Sequence, residues 1–69
     1  MERTPVSSSN VNSIGYDADT QTLEVEFKNG AIYHYFGVPE YEHDGLMSAD
    51  SKGKYLHSHI KNRYPLSKL

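Results

Sequence analysis

The stretch from Leu23 to Phe36 constrains the fold most, because its pattern leaves little besides a hairpin. Leu23-Glu24-Val25-Glu26-Phe27 puts apolar residues on one side of a strand and acids on the other. Lys28-Asn29-Gly30 follows, and then Ala31-Ile32-Tyr33-His34-Tyr35-Phe36, a second strand rich in aromatic rings. The turn between them decides which rings are buried, since a slip of one residue turns a strand over. A two-residue Asn29-Gly30 turn pairs Phe27 with Ile32 and Val25 with His34, burying the imidazole and leaving both tyrosines beside the glutamates. A three-residue loop pairs Phe27 with Ala31, Val25 with Tyr33 and Leu23 with Tyr35, with Lys28-Asn29 in a type I turn and Gly30 left-handed. The second is favoured: it buries two rings instead of an imidazole, and a tyrosine hydroxyl can find a partner at the core edge.

Around this hairpin the other elements take their places. Residues 1–9 are polar and serine-rich, with Pro5 among them, and read as a flexible tail. A single domain is expected over residues 10–66, and a short C-terminal tail over 67–69. Val11 to Tyr16 is β-like and ends at the turn formers Asp17-Ala18-Asp19-Thr20. Val38-Pro39 suits the start of a helix, and Glu40 and Glu42 complement its positive end. Tyr41, Gly45, Leu46 and Ala49 then recur at helical spacing. Gly45 costs about 1 kcal/mol against Ala there, so it implies either close packing or an irregular helix. Asp50 or Ser51 can cap a second helix over about 52–63, stopped by Pro65. On that helix Tyr55, Leu56, His59 and Ile60 share one side, opposite a stripe of Lys54, His57 and Lys61. Strands followed by helices predict an α+β fold: a three-stranded antiparallel sheet with two short helices packed on one face.

Size and charge narrow the function. At 69 residues without cysteine, the chain has one modest core and neither disulfides nor thiolate zinc to reinforce it. No apolar run approaches the length that spans a bilayer and the N-terminus lacks a signal-peptide layout, so a cytoplasmic location without membrane contact is expected. Charge is distributed unevenly. Residues 1–50 hold all nine acids and two bases, whereas residues 51–69 hold five bases and no acid. A local cationic surface is therefore compatible with the net charge of −2.

Lys54, His57 and Lys61, helped by Arg63 and Lys68, are the candidate nucleic-acid contacts, because a cationic stripe beside an aromatic ring suits a phosphate backbone. The plain alternative is a solvated helix face. Tyr33 and Tyr35 read as a structural core pair, with a base-stacking platform as the alternative. His57 and His59 point about 200° apart on a helix and cannot share one metal ion. His59 is expected in the core or at its boundary, His43 and Asp44 in solvent, and no metal site or cofactor is expected. Nothing assembles a nucleophile, base and orienting group, so no enzyme is expected. Nor is a small-molecule substrate, since so short a chain has difficulty enclosing about 300 Å³.

The chain also resembles a known family, the small KTSC domain. The residues that carry the resemblance are Ser8-Ser9-Asn10, Ile14-Gly15-Tyr16-Asp17, Leu23 to Phe27 with Gly30, Tyr33-His34-Tyr35, Val38-Pro39, Ser51-Lys52-Gly53-Lys54-Tyr55 and Ile60-Lys61. That family occurs as a stand-alone bacterial protein and at the C-terminus of some lysyl-tRNA synthetases, and brings no catalytic residues with it. The resemblance implies an RNA-binding role through that attachment to a tRNA-charging enzyme; with the cationic stripe, the expectation is a non-enzymatic accessory module that weakly binds RNA or another polyanion through its basic second helix. The competing expectation is a protein-interaction or self-associating module that uses an exposed sheet face or edge strand.

Overall fold

The computed structural model describes residues 1–69. Five antiparallel strands form one sheet in sequence order: β1 (Arg3–Pro5), β2 (Val11–Asp17), β3 (Thr22–Phe27), β4 (Ile32–Tyr35) and β5 (Leu66–Lys68). Between β4 and β5 lie α1 (Glu40–Ser48) and α2 (Lys52–Tyr55), the latter running directly into a π turn (Leu56–Ile60). The fold is thus α+β with two helical segments, but the sheet has five strands where three were expected. The added strands are three residues each and come from the two ends of the chain. Pro5 is tolerated because β1 is an edge strand, where a missing N–H breaks no central ladder.

The hairpin adopts the three-residue loop. Gly30 N–H donates to Phe27 O at 2.9 Å and Phe27 N–H to Ala31 O at 2.8 Å, while Gly30 takes φ +93°, a conformation that costs glycine little. Leu23 accordingly faces Tyr35, and Val25 faces Tyr33. Side chains directly opposite share a face, so Ile14, Leu23, Val25, Tyr33 and Tyr35 point toward the helices while Glu24, Glu26 and His34 point away. Val11, Ile14, Leu23, Val25, Tyr35, Val38, Leu46, Leu56 and Ile60 form the core.

Both helices differ in detail from the sequence pattern. On α1, Glu42 and Leu46 are buried, whereas Tyr41 is 70% exposed. Leu46 is buried as its spacing predicted, but Glu42 goes inside in place of Tyr41, where its carboxylate finds hydrogen-bond donors. Ser51 caps α2 by accepting the Lys54 N–H at 3.2 Å, and Lys52 Nζ donates to Met47 O near the end of α1 at 3.0 Å and to Ala49 O just after it at 2.7 Å. After Tyr55 the helix widens, and Lys61 N–H donates to Leu56 O, five residues back, at 2.8 Å. His59 is exposed rather than in the core, with its ring stacked on Tyr55 at 4.3 Å. His43 is half-buried against Tyr16, the rings 4.8 Å apart and nearly parallel, while Asp44 lies in solvent. No helix is long and apolar enough to cross a membrane.

Candidate nucleic-acid interface

An open cleft of about 300 Å³ lies between the β3–β4 hairpin and the second helix. That volume reaches the lower bound of ordinary ligand sites, which the chain length had argued against. Because strand residues alternate between faces, Phe27, Tyr33 and Tyr35 fall on the helix side together and build the cleft's aromatic wall, with Leu56 opposite. Tyr35 belongs to the core at 3% exposure, and burial pushes its phenol up. Tyr33 is only half-buried. Its ring meets Phe27 edge-on at 5.4 Å and Tyr35 at 6.4 Å. The two tyrosines therefore divide the roles that the sequence left open, one in the core and the other on a surface that a ligand can reach.

The helix contributes His57 and Lys61, both exposed, to the cleft rim. Strand β5 adds a further cation, since Lys68 pairs directly with Tyr33 and so lies on the same face of the sheet. Lys54 is exposed one residue beyond Gly53, which itself lines the cleft. Arg63 stands apart. Its guanidinium lies 3.8 Å from Glu42 and is not part of the cleft wall. The structure thus brings Tyr33, Tyr35, His57 and Lys61 together around one space, places Lys54 and Lys68 beside it, and leaves Arg63 outside the cleft wall.

A second cluster had no sequence signal. Glu42 is 4% exposed, accepting the Tyr55 hydroxyl at 2.6 Å and the Tyr64 hydroxyl at 3.2 Å. Donation to this carboxylate, with burial, pushes the Tyr55 phenol up to about 12. Burial followed by the Glu42 charge raises Tyr64 as well. The Tyr55 hydroxyl crosses α1 at Gly45, where an added Cβ would collide with it. Close packing therefore explains the glycine. The cluster joins α1, the second helix and the segment before β5, so it anchors the wall that carries His57 and Lys61.

The outer sheet face is polar. Arg3 Nη1 lies 3.2 Å and His34 Nε2 2.6 Å from opposite oxygens of Glu24. Glu26 accepts from Ser13 Oγ at 2.8 Å and Asn12 Nδ2 at 2.9 Å, which hold its carboxyl below the usual range. No group of three or more His, Asp or Glu side chains is placed to hold a metal ion.

The pattern of the KTSC domain matches residues 7–64, most of the sheet and both helical segments. The chain belongs to the KTSC domain family. The crystal structure of a KTSC domain protein from Yersinia pestis is 46% identical and superposes with a TM-score of 0.93, covering 99% of this chain and 96% of that one. An uncharacterised protein of Stutzerimonas stutzeri is 41% identical over 64 residues, 93% of this chain and 90% of that protein. A lysine–tRNA ligase of Trichormus variabilis is 43% identical over 54 residues, 78% of this chain but only 10% of the ligase. The matched segment thus makes up nearly the whole of one relative and only a small part of another.

Proposed function

We propose that this KTSC domain is a non-enzymatic accessory module that binds RNA, or an RNA-like polyanion, along its second helix and the cleft beside it. The observation that carries this reading is the meeting of a partly exposed ring, Tyr33, with His57 and Lys61 around one open space. Cations that follow a phosphate backbone beside aromatic rings that accept bases are the two requirements of single-strand binding. Support also comes from the lysine–tRNA ligase relatives, in which a similar segment accompanies an enzyme named for a tRNA substrate. Reversing Lys54 and Lys61 to Glu should reduce binding of a short single-stranded RNA by at least tenfold at low salt, measured by amide NMR titration. Unchanged binding in the double variant would remove the basic helix from the function.

An interaction module remains the second reading, favoured by one feature. Strand β5 is an edge strand with all three residues exposed, Leu66 among them at 45%, and Phe36 just beyond β4 is 40% exposed. A partner strand could pair there, and that contact would survive the charge reversal.

A further inference from the structure

The cleft has a polar end that charge attraction alone does not require. Asn10 and Asn29 both line it, on the side where the chain enters β2 and where the hairpin turns. Each is held by its neighbours. The Asn10 carbonyl accepts the Lys28 N–H at 2.9 Å, and its N–H donates to Ser8 Oγ at 3.3 Å. Asn29 Oδ1 accepts the Ala31 N–H at 3.0 Å, which fixes the orientation of that amide and leaves its NH₂ uncommitted. The Asn10 side chain makes no hydrogen bond within the protein, so it offers one acceptor and one NH₂. Two NH₂ groups and one carbonyl oxygen thus accompany an aromatic wall and a cationic rim.

We propose that the cleft holds one unpaired pyrimidine nucleotide of a single-stranded RNA, its base against Tyr33 and Phe27 and its phosphate toward His57 and Lys61. This rests on the polyanion reading and adds base recognition to it. Uracil and cytosine each present two acceptors and one donor on the pairing edge, which complements the uncommitted amide groups of Asn10 and Asn29. The adenine pairing edge presents one of each. A volume of about 300 Å³ has room for one unpaired base. Arrival of a base at amides and of a phosphate at cations uses both ends of the cleft, whereas a bare polyanion uses only one.

The test uses the full 69-residue chain and three probes of equal charge: a uridine hexamer, an adenosine hexamer and an abasic ribose-phosphate hexamer. Fluorescence anisotropy gives affinity, and amide NMR gives location. The uridine hexamer should bind about tenfold more tightly than the abasic one, the gain expected from one stacked base, and should shift Asn10, Asn29 and Tyr33. Two variants preserve the charge. Asn10→Ala removes a side chain with no partner in the protein, and Gly53→Ala adds a methyl group 3.2 Å from the Asn10 amide while favouring the helix. Each should bring the uridine hexamer toward abasic affinity. Equal binding of uridine and abasic probes, or tighter binding of adenosine, would overturn the pyrimidine site while leaving polyanion binding intact. Binding of no probe even at low salt would overturn both.

Discussion

Tyr55 shows how much one side chain does in a core this small. Its hydroxyl donates to Glu42, its edge passes over Gly45, and its face carries His59. Because its phenol is pushed up to about 12, it holds its proton more tightly in the folded chain than in the unfolded one, where tyrosine titrates near 10. Its contribution is therefore whole below about pH 10 and lost as pH rises through about 12. Tyr55→Phe should flatten that alkaline decline and cost about 1.5–3 kcal/mol at neutral pH, the usual value of a hydrogen bond to a charged acceptor. Urea midpoints measured from neutrality to about pH 12 test both effects. The hairpin tyrosines should separate in the same assay. Tyr35→Ala should lose about 3–5 kcal/mol, as a fully buried ring does, and Tyr33→Ala clearly less. Burial of Tyr35 was legible from the hairpin register, but burial of Glu42 was not. An acid in the first helical turn looks like a partner for the helix dipole, and its tyrosine donors lie 13 and 22 residues away in sequence.

Strands β2 to β4 could be read because one face of each is buried, and burial leaves an alternation in the sequence. Strands β1 and β5 leave none. Leu66, Ser67 and Lys68 are all exposed, and Arg3-Thr4-Pro5 includes a proline. Both are held by backbone pairing to a neighbour whose free edge was available, and backbone pairing has no side-chain signature. The π turn escaped notice for a similar reason, since a hydrogen bond five residues back rather than four changes no residue type. The cationic stripe was legible, yet its meeting with Tyr33 was not, because that depends on how the helix docks on the sheet. β5 carries the element-scale prediction. Removing Leu66–Leu69 deletes no core residue, so the shortened chain should stay folded. It would expose the β4 edge, however, and sedimentation velocity should then show concentration-dependent self-association.

Taken whole, the molecule keeps the acids of its sheet away from the cleft. Glu24 and Glu26 lie on the outer face with Arg3 and His34, while Lys54, Lys61 and Lys68 surround the cleft on the other. Lys52 is held by carbonyls at the end of α1 and Arg63 lies near Glu42, away from the cleft wall, so about three phosphates can be neutralised at the cleft. Binding of single-stranded RNA should therefore weaken with salt at a log–log slope of about −2, and a titration from low to physiological salt measures it. The strand order has a further consequence. Met1 and Glu2 lie against Gly15 on the outer face, where a Cβ on that glycine would strike them. β1 is also three strands from β4, a separation of about 14 Å at ordinary strand spacing. A carrier protein joined through the first residue would grip the module from behind, so that the domain could be borne as a passenger with its cleft turned outward and unobstructed.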